Sequence, residues 1–366
     1  MKLKTLHSVL EKALSTKRPH EAKATIKFSE WLADNLPDGT YYEFDAIGNL
    51  HVDTRISSQN KTLFVAHVDT VHRKSGKNRI KKTRTHWCAD GDVLGADDGA
   101  GVAMLMHLIH AGIAAYYIFT VGEEKGGIGA TWLAKNNADL LVQFDRAIAF
   151  DRRGIDSVIT HQGFGRCCSD DFGNALCAAI GEVNNDLMHL NDDTGVYTDT
   201  AEFVDLIPEC TNISIGYSNE HTQNESLNIV YFNMLAKALV HVDFDSLPVV
   251  RDPLAPDPDD WRMYRRTGYW STDWNDYTVY STASNDDLRD YMYSALLDAQ
   301  YGYHADLIDL VAAHTFPDDP ALMAKHLNPK RLDPRLLDDL IADLDSDTFD
   351  VDSALNSLAD DMYDRL

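Results

Sequence analysis

The strongest constraint on the fold is an alternation of short apolar segments and helix-type segments through the first 245 residues. The apolar segments are rich in β-branched and aromatic residues, which is typical of strands buried on both faces. This alternation predicts an α/β fold with a mainly parallel or mixed central sheet and helices on both faces. The predicted strands are 41–53 (a strand pair), 62–70, 116–121, 146–151 and 210–217, and the predicted helices are about 25–35, 99–111, 128–136, 174–180 and 230–242.

Residues that can bind metals follow the predicted strands. In sheets of this kind, ligands bind beyond the carboxyl ends of the strands. A single His or carboxylate is ordinary where a strand reaches solvent, but here five consecutive segments end in one, which indicates a shared site. These residues are His67 with Asp69, Asp97 with Asp98, Glu123 with Glu124, Asp151, and His221.

The types of donor narrow the chemistry of this site. Two imidazoles and at least three carboxylates, without paired cysteines, suit zinc and, less specifically, cobalt or manganese. The set predicts a two-metal hydrolytic site, in which ions about 3.5–4 Å apart activate a shared water. Glu123 and Glu124 are adjacent, and neighbouring strand residues point to opposite sides of a sheet. Both can reach one site only if the chain leaves strand geometry at Gly122.

Composition excludes several other classes of function. The formal net charge of −25 argues against binding to a nucleic-acid backbone, which needs clustered Lys and Arg. No apolar run approaches the roughly 20 residues that cross a membrane. Five cysteines without a CxxC pair predict no disulfide framework. We therefore expect a cytoplasmic protein with neither nucleic-acid nor membrane partners; its oligomeric state does not follow from the sequence.

Charge and proline content divide the chain into parts. Residues 251–366 contain 25 Asp and no Glu against 10 Lys and Arg, and residues 247–260 contain four prolines. We predict a site-bearing domain at 1–246, a Pro/Asp-rich linker at 247–260, and a small, acidic, mostly α-helical C-terminal domain at 261–366. That last domain opens with an aromatic cluster formed by Trp261, Tyr264, Tyr269, Trp270, Trp274, Tyr277 and Tyr280.

Five motifs, AHVDTV, LGADDGAG, VGEEKGG, AFDRRG and EHTQNESLNI, occur in this order between about residues 20 and 245, with GNLHV before them. The series resembles the dinuclear-zinc exopeptidases, the group that contains peptidase T, carboxypeptidase G and zinc aminopeptidases. The resemblance implies two zinc ions, with cobalt or manganese as substitutes. It also implies that a metal-bridging water attacks a peptide bond of a small peptide.

The resemblance also implies roles for individual residues. It assigns His67 and Asp151 to one zinc, Glu124 and His221 to the other, and Asp97 to both. Glu123 would be the general base, and Asp69 would hold the His67 imidazole in its ligand tautomer. The residues alone leave alternatives open, because Asp98 can replace Asp97 as the bridge or cap a helix, and Asp69 can cap a turn.

Departures from the family pattern limit these implications. Gly99 stands where sequences similar to peptidase T usually have Lys, and only 70 positions separate Asp151 from His221. That interval has no room for the lid domain that lends a histidine to the site and mediates dimerisation in the peptidase T and carboxypeptidase G branches. We hypothesise that residues of the shortened segment bind substrate instead; the candidates are His161, Arg166 and His189.

Two classes of function remain open from the sequence. The first is a metallohydrolase, with an aminopeptidase or di/tripeptidase as first choice and an N-acyl amino-acid deacylase or amidase as second. The other is a non-catalytic assembly protein that works through its acidic C-terminal domain. The presence of Glu123 and of every metal ligand favours the enzyme. The C-terminal domain is interpreted as a small core with a docking surface, and covering of the active-site mouth in place of the lid is the alternative.

Overall fold

The computed structural model describes residues 3–55, 58, 60–162 and 165–255, and near the C-terminus residues 296, 307, 310–311, 335–336, 340 and 350–362. The chain divides into two compact units, Met1–Trp261 and Arg262–Leu366. The backbone N–H groups of Val250 and Arg251 donate to the Glu209 carboxylate at 2.7 and 3.0 Å. The start of the predicted linker is therefore fixed to the first unit.

The helices of the first unit are α1 (Leu3–Leu14), α2 (Lys23–Asp34), α3 (Ala96–Ala111), α4 (Ile128–Asn136), α5 (Ala138–Leu141), α6 (Asp170–Val183) and α7 (Ile229–Leu239). Its first eight strands are β1 (Thr16–Lys17), β2 (Tyr41–Phe44), β3 (Leu50–Asp53), β4 (Thr62–His67), β5 (Gly76–Lys77), β6 (Ile80–Lys82), β7 (His86–Ala89) and β8 (Tyr116–Thr120). The remaining strands are β9 (Arg146–Arg152), β10 (Ser157–Ile159), β11 (His161–Gln162), β12 (Gly165–Arg166), β13 (Leu190–Asp192), β14 (Glu209–Ser214), β15 (Tyr217–Ser218) and β16 (Ser226–Asn228). Turns of 3-10 helix cover Glu123–Lys125, Asp199–Phe203 and Phe244–Ser246.

The described residues of the second unit are helical except for Asp350, as predicted. Helix α8 spans Val351–Met362, and the isolated described positions 296, 307, 310, 311, 335, 336 and 340 are also helical. The aromatic cluster from Trp261 to Tyr280 lies outside the described residues. The alternative that this region covers the active-site mouth therefore stays a prediction. Among the described residues, no helix has the length and apolar character needed to span a membrane.

The central sheet has eight strands in the order β13-β10-β14-β9-β4-β8-β3-β2. The four middle strands β14, β9, β4 and β8 are mutually parallel, whereas β10, β3 and β2 pair antiparallel to their neighbours toward the centre. A smaller four-stranded sheet has the order β15-β16-β7-β6. The predicted mixed sheet is confirmed. The predicted strand 210–217 is two strands, because Gly216 at φ +101° turns the chain into the smaller sheet.

Helices cover both faces of the central sheet, as the buried strands require. Strand β4 is buried along its whole length. Its alternate residues enter two separate cores, because side chains along a strand point to opposite faces. Phe64 and Ala66 join the core that contains residues of α1, α3 and α7. Leu63 and Val65 join the second core, which contains residues of α4 and α5. The carboxyl ends of the parallel strands thus lie between two helical layers.

Candidate active site

The structure brings the five predicted metal ligands together at the carboxyl edge of the parallel strands. They form two groups that share Asp97. In one group the Nε2 atom of His67 lies 3.0 Å from Asp97 Oδ1 and 3.7 Å from Asp151 Oδ1. In the other, the Nε2 atom of His221 lies 3.1 Å from Asp97 Oδ2 and 3.2 Å from Glu124 Oε2. Each oxygen of the Asp97 carboxylate therefore faces a different group, which is the geometry of a bridging ligand.

Asp98 occupies a different position, although sequence alone left it open as the bridge. Its carboxylate accepts the backbone N–H of His67 at 3.2 Å and that of Gly101 at 2.8 Å. Asp98 is fully buried, so its oxygens serve the backbone at the start of α3. A Cβ atom at position 101 would lie only 2.3 Å from Asp98 Oδ1. Only glycine at this position therefore leaves room for the hydrogen bond between its N–H and the Asp98 carboxylate.

The ligand groups fit divalent cations. Burial raises the pKa of Asp151, and the neighbouring Asp97 carboxylate raises it further. The same two causes raise the pKa of Glu124. The Oε1 atom of Glu124 is buried and has no hydrogen-bond partner among the described residues. Crowded buried carboxylates repel one another, and cations bound between them offset the repulsion. In each group the ligand atoms lie within 4.8 Å of one another.

Glu123 lies beside the ligand groups and belongs to neither. Its Oε2 atom is 3.8 Å from His67 Nε2, and its side chain is mostly buried. Burial raises the pKa of Glu123 well above its ordinary value, and Asp151 is the carboxylate that adds most to this effect. Gly122 adopts the left-handed conformation (φ +73°) immediately before the 3-10 turn, so Glu123 and Glu124 leave strand geometry as predicted. A carboxylate with high proton affinity next to two ligand groups can carry protons.

Asp69 makes contacts that differ from the role implied by the resemblance. Its carboxylate accepts three consecutive backbone N–H groups, from Gly122 at 2.8 Å, Glu123 at 3.2 Å and Glu124 at 3.3 Å. The Nδ1 atom of His67 lies 3.2 Å from the Asp69 backbone oxygen and 3.7 Å from the Asp69 carboxylate. The backbone oxygen is therefore the nearer acceptor for the imidazole. The carboxylate mainly anchors the turn that carries both glutamates.

Several other anchors were not predicted from the sequence. The Glu225 carboxylate accepts four consecutive backbone N–H groups, from Leu94 to Asp97, at 2.7 to 3.2 Å. Asn49 accepts the Val121 N–H at 3.0 Å through its side-chain oxygen. Glu225 and Asn49 occur in the quoted motifs EHTQNESLNI and GNLHV, which was the available signal. These side chains fix the backbone on both sides of the site.

Asp151 is also held by hydroxyl groups that sequence reasoning missed. The Thr198 hydroxyl donates to Asp151 Oδ2 at 2.7 Å, and the Tyr217 hydroxyl lies 3.1 Å from Oδ1. These contacts orient a ligand carboxylate without adding charge to the site. Thr198 and Tyr217 come from the segment between Asp151 and His221, which therefore contributes to the site through its second half.

The three candidate substrate-binding residues lie elsewhere. Strand β10 runs antiparallel to β14, so the residues that follow it lie at the edge of the sheet opposite the ligand groups. There His161 and Arg166 are paired across the two-stranded β11–β12 sheet. The Nε2 atom of His189 is buried against the Tyr231 hydroxyl at 2.6 Å. The structure brings none of the three together with the ligands.

Comparison with solved structures shows which known proteins share the fold of this chain. No family profile matches the chain, and no curated protein matches it. A tripeptidase from Staphylococcus aureus is similar in structure, with a TM-score of 0.55 and 16% identity over 66% of this chain and 97% of that chain. Aminopeptidase PepT from Bacillus cereus has a TM-score of 0.51 and 14% identity over 65% and 96% of the two chains. An aminopeptidase from the archaeon Desulfurococcus kamchatkensis has a TM-score of 0.50 and 14% identity over 65% and 94%. The protein shares its fold with these peptidases.

Proposed function

We propose that the first unit is a co-catalytic metallohydrolase that cleaves a peptide bond of small peptides, as an aminopeptidase or a di/tripeptidase. The observation that carries the proposal is the pair of ligand groups sharing Asp97, with Glu123 next to His67 and outside both groups. The shared fold with peptidases supports it, since that fold is found in the tripeptidase and the two aminopeptidases.

The proposed metal complement is two zinc ions, with cobalt or manganese as substitutes. His67 and Asp151 would hold one ion, Glu124 and His221 the other, and Asp97 both. When bound, such ions would polarise the scissile carbonyl and lower the pKa of a water molecule. The unpartnered Oε1 atom of Glu124 and the two-sided Asp97 carboxylate are the features that favour two ions over one.

Proton transfer falls to Glu123 in this proposal. Its carboxylate takes a proton from the attacking water and delivers it to the leaving amine. A raised pKa increases the proton affinity of the Glu123 carboxylate, which suits it to hold the proton until the amine leaves. The three N–H groups bonded to Asp69 fix the backbone of the turn, so that Glu123 and Glu124 keep separate positions.

The charge of the site favours a substrate with a free α-amine over an N-acylated amino acid. Asp98 and Glu225 are further acidic groups beside the ligands, since Asp98 accepts the His67 N–H and Glu225 accepts the Asp97 N–H. A peptide N-terminus carries an ammonium group that complements this field, whereas an N-acyl amino acid carries only a carboxylate. Peptidase activity is therefore proposed ahead of deacylase activity. We also propose a reducing, cytoplasmic compartment, because the sequence has five cysteines and no CxxC pair.

Metal content and a substrate panel test the proposal together. We expect the purified protein to bind two equivalents of zinc or cobalt and to hydrolyse dipeptides, tripeptides or amino-acid amides. Removal of the metal by a chelator should abolish hydrolysis, and added zinc or cobalt should restore it. Cleavage of N-acetylated amino acids alone would identify the deacylase instead. A protein that binds no metal and cleaves none of these substrates with added zinc or cobalt would support the non-catalytic assembly role.

A further inference from the structure

Arg18, which directly follows β1, has a guanidinium group in the interior of the first unit. The residue has no solvent exposure and is among the largest fully buried side chains. Its Nε atom donates to the Val68 carbonyl at 2.7 Å, and its Nη1 atom donates to the carbonyls of Thr16, at 3.1 Å, and Ala13. Its Nη2 atom is buried without a hydrogen-bond partner among the described residues. The Phe28 ring lies over the guanidinium at 4.6 Å.

The groups that hydrogen-bond to this cation are neutral, yet its surroundings are acidic. Among the described residues, Arg18 forms no direct ion pair. Burial lowers the pKa of Arg18 to about 10, against the opposing effect of four carboxylates, of which Asp69 and Asp98 contribute most. The side chain therefore stays protonated at neutral pH. A buried, charged guanidinium without a paired carboxylate is costly, and the nearby acidic site is the compensation available to it.

Arg18 lies between two segments of the site. One carries His67 and Asp69, and the other carries Asp97 and Asp98. On one side, its backbone oxygen accepts the Thr70 N–H at 2.9 Å, just after His67 and Asp69. On the other side, a Cβ atom built on Gly99 would lie 3.2 Å from Arg18 Nη2. Gly99 directly follows Asp97 and Asp98, so the guanidinium lies against the backbone at the start of α3.

We propose that Arg18 is a positioning residue that acts as a fixed internal cation for the acidic site. Its charge offsets the repulsion among Asp69, Asp97 and Asp98, so that these carboxylates keep their arrangement before divalent ions bind. The inference depends on the proposed function only in naming divalent ions as the ligand. A purely structural role, in which Arg18 only ties together the carbonyls of Ala13, Thr16 and Val68, predicts different results for the variants that follow.

Moving the charge to another residue separates the two roles. In Arg18→Met the charge is lost, and in Arg18→Met/Gly99→Lys an ammonium group enters the space that the guanidinium leaves. Arg18→Met/Gly99→Met is the control, because it fills the same space without charge. Gly99→Lys alone should be destabilising, since its Cβ would crowd Arg18 Nη2, Ala13 Cβ and Leu14 Cδ2 at 3.2 to 3.3 Å.

Thermal unfolding of the full chain with a chelator present, and again with saturating zinc, is the measurement. With the chelator we expect Arg18→Met to lower Tm by roughly 5–10 °C, the Lys double variant to recover part of this loss, and the Met double variant to recover none. Zinc should reduce the deficit of Arg18→Met, because bound cations supply the missing charge.

Equal Tm values for the two double variants with the chelator would overturn the proposal, and so would a deficit of Arg18→Met that zinc leaves unchanged although zinc stabilises the wild type. If Arg18→Met does not fold, folding of the Lys double variant alone supports the proposal, and failure of both overturns it. If zinc does not stabilise the wild type, the proposed metal function fails; the comparison of the double variants with the chelator still decides the role of Arg18.

Discussion

Glu123→Gln is expected to lower kcat by about 10²–10⁴-fold while the protein still binds two metal ions. Gln has nearly the same shape as Glu but cannot accept the proton of the attacking water. Glu123 belongs to neither ligand group, and its Oε2 atom is 3.8 Å from His67 Nε2, so its replacement removes no metal ligand. Steady-state hydrolysis of a dipeptide and metal analysis of the same preparation give the two readouts.

Glu124→Gln is the matched variant, since it changes the adjacent residue by the same chemistry. The Oε2 atom of Glu124 lies 3.2 Å from His221 Nε2, within the second ligand group. We expect this variant to lose most of one metal equivalent, and added zinc or cobalt should restore part of its activity. Added metal should not rescue Glu123→Gln. The same metal content and the same rescue in both variants would contradict the separate roles proposed for the two glutamates.

Local pattern was enough to predict the central sheet and the residues that meet at its edge. Each parallel strand is a short apolar run that ends in a polar residue, and all four end at the same edge. His67, Glu124 and Asp151 could therefore be grouped from sequence without knowing the strand order. The residues alone did not decide between Asp97 and Asp98, because adjacent carboxylates differ only in where the backbone points them; the family resemblance favoured Asp97 as the bridge.

Long-range pairing explains what could not be predicted. Strand β10 has only three residues and pairs antiparallel to β14, so no local signal shows that the chain reverses there. His161 and Arg166 consequently lie at the far edge, although they stand between two ligands in the sequence. Arg18 and Glu225 act on backbone groups of distant segments, and Glu225 is about 130 positions from its donors. No periodicity or spacing encodes such contacts.

Glu225→Gln is expected to weaken metal binding by roughly 10–100-fold, although Glu225 is not in either ligand group. One oxygen of its carboxylate accepts the N–H groups of Leu94 and Gly95, and the other accepts those of Ala96 and Asp97. An amide would place an NH₂ group against two of these donors, and the turn that orients Asp97 would loosen. Because Asp97 faces both groups, both metal affinities should fall. Competition with a chelating dye measures them.

Glu209→Gln is the control for this prediction, because Glu209 is an equally buried glutamate far from the ligand groups. Its carboxylate accepts the N–H groups of Ser169, Val250 and Arg251 at 2.7 to 3.0 Å. Both Gln variants should lose stability by about 1–3 kcal/mol in urea unfolding, since each leaves buried N–H groups unpaired. Of the two Gln variants, only Glu225→Gln should lose metal affinity.

Glu225→Asp is a further variant, which keeps the charge but has a shorter side chain. It should also weaken metal binding if the position of the carboxylate is the cause. If Glu225→Asp binds metal with wild-type affinity and Glu225→Gln binds it more weakly, then the charge of Glu225 supports metal binding, and its hydrogen bonds to the turn do not.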